Sequence, residues 1–189
     1  DANCYQGVMQ TVKLLEELGH TVEEKCPDFS ELIEPFQIVW QANVAASQVP
    51  VEILQPLNRW LLARNVDAGE YLRAVYQMQM VARKIVTFFD SIDVLVMPVY
   101  LHSPIRVGEW SGLSPEETFE NIIRWIAPNP AANATGQPSI SLPVGFDEKG
   151  LPIAVQLMGK PTAENTIISL AAQLEAANPM YEKCPNSYQ

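Results

Sequence analysis

Histidine is scarce in this chain of 189 residues: His20 and His102 stand alone and far apart, too isolated to anchor a Ser-His-Asp arrangement, and both read as surface or loop residues. The three cysteines, Cys4, Cys26 and Cys184, show no metal-ligand spacing, and any single disulfide leaves one over. They read as reduced thiols, which gives a cytoplasmic expectation. There is no HExxH, no CxxC pair and no glycine-rich phosphate loop, so no cofactor or metal is implied. Basic residues are few, 12 against 22 acidic, and the formal net charge of -10 argues against a nucleic-acid or anionic-membrane surface. No apolar run approaches the roughly 20 residues that span a bilayer. No signal peptide opens the chain, and its start at Asp1 rather than Met is what a fragment or processed subunit would show.

What is present is a chain rich in apolar residues, 48%, enough to bury the core of one domain over residues 1–189, with 180–189 reading as a loose tail. The Asn133-Ala-Thr135 sequon reads as structural in this context. Tyr5, Val8, Val12 and Leu15 recur at helical steps before Gly19, and His20 to Glu24 reads as a short strand. Asp28 and Glu31 have capping-box spacing ahead of a stripe of Leu32, Phe36, Val39 and Trp40, with a late start or kink expected at Pro35. A further helical patch covers about 51–63. Trp40 and Trp60 read as core or pocket-wall aromatics.

The strongest helical pattern runs from Ala68 to Ile92, with Leu72, Val75, Met78, Ala82, Ile85 and Phe89 as its apolar stripe. Met78 and Met80 read as core filling. Asp93 to Val99 is apolar at nearly every position, the pattern of a strand inside a sheet covered on both faces. Ser114-Pro-Glu-Glu117 is a capping box with proline at the first helical position. Thr162 is placed to cap a last helix carrying Ile167, Leu170, Ala171 and Leu174.

Between these helices, Ile140, Leu142 and Val144 alternate with Ser139, Ser141 and Pro143, and Ile153, Val155 and Leu157 alternate with Ala154, Gln156 and Met158. Gly145, Asp147, Lys149 and Gly150 supply the turn, so the two runs form a β-hairpin. Asn133, Thr135, Gly136 and Pro138 precede it as an irregular lead-in that does not continue a helix.

The order of residues in this stretch resembles the C-terminal signature of the amidase signature family of serine amidohydrolases. The family's Asn-x-(Ala/Thr)-Gly-x-Pro-(Ala/Ser)-Ile-Ser-(Val/Leu)-Pro segment is matched by Asn133-Ala-Thr-Gly-Gln-Pro-Ser-Ile-Ser-Leu-Pro143. Its Gly-Leu-Pro-(Ile/Val)-x-(Leu/Val)-Gln-Leu-(Met/Ile)-Gly segment is matched by Gly150-Leu-Pro-Ile-Ala-Val-Gln-Leu-Met-Gly159, and its Asp-(Val/Ala)-Leu-(Leu/Val)-(Thr/Met)-Pro strand by Asp93-Val-Leu-Val-Met-Pro98.

The resemblance implies an α/β fold, the C-terminal half of the amidase signature architecture, with a mixed central sheet shared between the two halves and covered by helices on both faces. It also implies hydrolysis of an amide by a lysine, a serine on a cis peptide and a nucleophilic serine, the serines lying in a Gly-Gly-Ser-Ser-Gly-type stretch. This chain has no two adjacent serines, and none of its lysines occupies a catalytic position of the family. No catalytic residue is therefore expected here. The expected partners are an N-terminal amidase half, in the same or a separate chain, and a small amide substrate, with a homodimer as a further arrangement.

By position in the motifs, Met97 and Pro98 at a strand end, and Trp125, Asn129, Pro130, Asn133 and Thr135 before the hairpin, are the substrate-pocket candidates. For Asn133 and Thr135 a second reading, satisfaction of loop backbone, stands beside the pocket, and for Trp125 a core role. Within the family, Gln137 makes the motif look closer to hydrolases of small or hydrophobic amides, the 6-aminohexanoate cyclic dimer hydrolase group among them, than to the amidotransferase A subunit. A catalytically inactive binding or assembly module derived from an amidase is the reading from another functional class.

Overall fold

A computed structural model describes residues 1–180; of the expected loose tail at 180–189 only Met180 is described, and it is buried, while the rest and Cys184 lie outside the described residues. The chain divides into two compact units, each built from separated segments. The first comprises Asp1–Cys26, Phe88–Pro104 and the chain from Gly136 onward, and the second Pro27–Thr87 and Ile105–Thr135.

In the first unit, helix α1 (Ala2–Glu17) starts at Asp1, whose side chain accepts a hydrogen bond from Cys4 N, and closes at Gly19, with His20 N donating to Leu15 O at 3.0 Å. Strand β1 (Val94–Pro98) and the hairpin of β2 (Ser139–Phe146) and β3 (Pro152–Gly159) form an antiparallel sheet in the order β1-β3-β2. Helix α7 (Glu164–Ala177) follows. Leu15 of α1, Leu142, Val155 and Leu157 of the hairpin, and Ala171 and Leu174 of α7 make one buried cluster, with Val94, Val96, Ile140 and Val144 packed against it. The alternation read from the sequence is thus the alternation of the sheet: the aliphatic set of each strand faces α1 and α7. Each fully buried Leu or Val of this face contributes about 1.5–3 kcal/mol. A register shift between Pro143 and Gly145 bends β2 near its end.

The second unit is helical: α2 (Ile33–Ala46), α3 (Pro56–Ala63), α4 (Ala68–Phe88, which runs on to the boundary), α5 (Pro115–Ile126) and α6 (Pro130–Thr135). The capping box at the head of α5 is formed as expected, Ser114 Oγ accepting from Glu117 N at 3.2 Å and Glu117 Oε2 accepting from Ser114 N at 2.8 Å. Trp40 and Trp60 both pack on buried Phe119, with ring centroids 5.2 and 5.6 Å away, which answers their core reading.

Several expectations are corrected. The stretch His20 to Glu24 is not a strand, having no neighbour to pair with among the described residues. The Asp28 carboxylate accepts from Ser30 N in a local turn, without a reciprocal box, and hydrogen bonds from Ser30, side chain first and backbone second, hold it below the ordinary carboxylate range. A short 3-10 turn, Ser30–Leu32, then delays α2, so the late start before Pro35 is found. The patch at 51–63 is a 3-10 turn followed by α3, because Pro56 sets the first helical position.

Thr162 does not cap α7: its φ is +63°, its hydroxyl turns back to Pro161 O, and Ala163 is the cap residue. β1 is an edge strand here, with β3 central, and it buries only Leu95 and Met97 deeply. The three strands described here pair antiparallel; the mixed sheet that the resemblance implies is one shared with the other half of the fold. In α4 the inward face is Ala74, Val81, Ala82 and Ile85, whereas Leu72 and Met80 are exposed.

Candidate functional site

The second face of the sheet carries the polar groups of the signature. Met97, Gln156 and Ser141 stand abreast across the three strands, as do Leu95, Met158 and Ser139. Met97 is buried at 6% exposure and Gln156 at 4%, while Ser139 and Ser141 on the outer strand are exposed. Gln156 Nε2 donates to Ser139 Oγ at 2.5 Å.

Just before β2, Gln137 is also buried, and its Nε2 donates to Gly159 O at 2.6 Å; Gly159 N in turn donates to Pro138 O at 2.9 Å. The two halves of the motif, 22 residues apart, are therefore stapled at one backbone position. Only glycine serves there. A Cβ on residue 159 would stand 2.7 Å from Ile167 Cγ2 and 3.5 Å from Pro138 Cγ. Gly136, at φ +70°, turns the chain from α6 into the staple.

The pocket candidates named from the motifs fall in both units. Met97 and Pro98 sit in the first, Met97 abreast of Gln156 and Pro98 abreast of Val155. The other five sit in the second. Trp125, near the end of α5, packs edge-to-face on Trp110 with centroids 5.8 Å apart. Asn129 N donates to Ile126 O at 2.8 Å and marks the turn between α5 and α6.

Pro130 opens α6, which corrects the irregular lead-in: Asn133 and Thr135 lie inside a helical turn and a half, and the irregular backbone is confined to Gly136–Pro138. Thr135 Oγ1 donates to Ala131 O at 2.9 Å, so its hydroxyl serves helix backbone. Asn133 is exposed. Gln137, Ser139 and Gln156, the polar residues that the signature brings together, are not among the candidates; Gln156, a polar residue in a run of apolar strand positions, is the one signal that points to them, and Gln137 before β2 leaves none.

Two clefts among the described residues are small. One in the first unit, between α1, β2 and α7, holds about 70 Å³, and one in the second, between Leu32, Phe36, Ile123 and Pro130, about 20 Å³. A small-molecule site needs several hundred, about 300–1,000 Å³. Neither cleft encloses an amide substrate. His20 Nε2 lies 2.8 Å from Gln173 Oε1 on the surface, and His102 Nδ1 2.9 Å from Ser103 O. Burial pushes the Cys4 thiol up from its ordinary value, away from nucleophilic reactivity. No described helix is long and apolar enough to cross a membrane.

A model of the Amidase family matches residues 1–168, most of the chain. A protein named as an amidase in Synechocystis sp. is 47% identical over 168 residues, covering 89% of this chain and 33% of the relative. A second protein so named, AmiB2 of Mycobacterium bovis, is 30% identical over 188 residues, covering 95% of this chain and 40% of its own length. Among solved structures, 6-aminohexanoate cyclic dimer hydrolase superposes with a TM-score of 0.90 at 22% identity, over 100% of this chain and 44% of that one. The chain belongs to the Amidase family. It has the α/β fold of a C-terminal portion of the amidase signature architecture, and spans between a third and two-fifths of the length of these curated relatives.

Proposed function

We propose that this chain is the C-terminal portion of an amidase that hydrolyses carboxylic amide C–N bonds, the reacting groups being carried by an N-terminal portion in the same or a separate polypeptide. In that portion a neutral lysine takes a proton through a bridging serine, a second serine attacks the carbonyl carbon, and backbone amides of a glycine-rich loop hold the oxyanion. Collapse of the adduct expels the amine with the relayed proton, and water then hydrolyses the acyl-serine. A cytoplasmic setting and a small amide substrate belong to the same reading.

The observation that carries it is the stapled hairpin, whose residues follow the family signature, in a chain matching the family model over residues 1–168. This portion contributes scaffold and pocket wall: Met97 and Pro98 at a strand end, and Trp125, Asn129, Pro130, Asn133 and Thr135 along the approach to the hairpin. The small volume of the clefts supports this division of labour, because a substrate then needs walls from the other portion. Within this reading the side-chain amide of Gln137 ties the lead-in to the end of the hairpin.

The test is to produce the chain with a segment holding the serine pair and the upstream lysine, and to assay a panel of linear and cyclic amides. Hydrolysis requiring both parts, and lost on replacing either serine by alanine, is the expected result. Equal hydrolysis by the chain alone, or none by the assembled pair, overturns the reading.

A further inference from the structure

The second face of the sheet is covered over two of its strands and bare over the third. One row runs from buried Met97 and Gln156 to exposed Ser141, and the other from buried Leu95 and Met158 to exposed Ser139. Adjacent strands lie about 4.8 Å apart, so the cover ends abruptly at β2. Gln156 is the polar member of the covered part, with Val155, Leu157 and Met158, all fully buried, beside it along β3. Its Oε1 is buried and has no hydrogen-bond partner among the described residues. Such a group is costly to keep where a methionine would fit. Its Nε2 reaches past Ser141, which stands directly opposite, and donates to Ser139 Oγ at 2.5 Å.

A hydroxyl oxygen that accepts from an amide keeps its own hydrogen for another acceptor. The amide N–H also polarises that hydroxyl and strengthens it as a donor. A buried glutamine thus holds the hydroxyl of an exposed serine in one orientation, its hydrogen directed away from Gln156.

We propose that this hydroxyl donates to an acceptor oxygen of the N-terminal portion, which covers β2 on this face; Ser139 makes the contact and Gln156 is its positioning residue. The inference rests on the two-portion reading above. Neither of the two clefts includes Ser139, Ser141 or Gln156, so the acceptor belongs to a macromolecular surface and not to an enclosed small molecule. The family supplies such a surface. This chain accounts for 33% of the Synechocystis relative and 44% of the hydrolase structure, which leaves more than half of each for the other portion.

Thiol labelling of Ser141→Cys tests it, because residue 141 lies on the bare strip and its replacement leaves the Ser139–Gln156 pair in place. Labelled peptides are read by mass, so Cys4, Cys26 and Cys184 do not interfere. The introduced thiol should react as an exposed cysteine in the chain alone, and at least about tenfold more slowly in the protein assembled with its N-terminal portion, as one polypeptide or two. Adding Ser139→Ala should raise that residual rate about fivefold, and Gln156→Met should do the same. The two together should do no more, and Ser139→Thr, which keeps the hydroxyl, should leave the rate unchanged. Equal labelling with and without the N-terminal portion overturns the proposal, as does a residual rate indifferent to Ser139→Ala or an additive effect of the two replacements. Protection that appears in the chain alone as its concentration rises assigns the cover to a second copy and overturns it too. Amide hydrolysis is scored separately: protection without hydrolysis supports the contact and overturns the amide chemistry, and hydrolysis with an unprotected thiol does the reverse.

Discussion

At the scale of single residues, the signature explains itself as a closure device. Gln137 is invisible to periodicity, since a buried amide beside a strand looks like any polar residue in a turn; its meaning appears only when Gly159 is found 2.6 Å away. Replacing Gln137 by Leu leaves Gly159 O without that donor and should cost about 1–3 kcal/mol, read as a lower urea midpoint with unchanged slope. Asn133 gives the opposite expectation. It is exposed and has no side-chain hydrogen bond among the described residues, so Asn133→Ala should shift stability by less than about 0.5 kcal/mol. A rise in KM for the assembled enzyme with that variant, against an unmoved melting curve, would assign it to substrate; an unmoved KM removes it from the candidates. The hairpin residues are legible because period two has one simple solution. Asn133 and Thr135 read as irregular because the breakers Gly136 and Pro138 stand directly behind a helix too short to show a period.

Elements are readable where a local rule decides them and misread where packing decides. The head of α5 is a local matter: Ser114, Pro115 and Glu117 determine it without help. Ser114→Ala should lower stability by about 1 kcal/mol in thermal unfolding. The same box has a pH signature. Hydrogen bonds from Ser114, backbone first and side chain second, hold the exposed Glu117 carboxyl below its ordinary value. A carboxyl lowered in the folded state stabilises fully above the unfolded glutamate value and loses that contribution as pH falls through the folded one. The acid limb of the stability profile should therefore flatten in Glu117→Gln; an unchanged limb would show that the box carries no charge-dependent share.

α4 is settled by packing instead. The fold keeps the Ala82, Ile85 and Phe89 end of the expected stripe inside but leaves Leu72 outside, burying Ala74 and Val81 instead, where the small side chain at 74 allows close approach. β1 departs from its expected place for a different reason: an all-apolar run reports what covers its faces, not how many strands flank it, and among the described residues it has one neighbour.

For the molecule as a whole, the open side of β1 is the feature that ties structure to the proposed assembly. Outward amides of an edge strand exchange readily, and those of a central strand do not. Hydrogen exchange should thus show β3 most protected in the chain alone, with the outward amides of β1 gaining protection when the N-terminal portion is added. Unchanged exchange at β1 in an active assembly would show that the sheet is not continued from that edge. The proposal of two-part catalysis is readable from the signature and from what the sequence lacks, because a serine-pair stretch is either present or absent. The division into two units is not, since segments that close a unit from distant parts of the chain leave no local mark.

That interleaving bears on how the protein is made. The second unit is complete once Thr135 has emerged from the ribosome, while the first must wait for the hairpin and α7. At roughly 5–20 residues per second, α1 and β1 spend seconds in the nascent chain without the strands they pack on. Apolar residues such as Leu15, Leu95 and Val96 are then bare in the interval, a window in which the nascent chain depends on being shielded rather than on the stability of the finished fold.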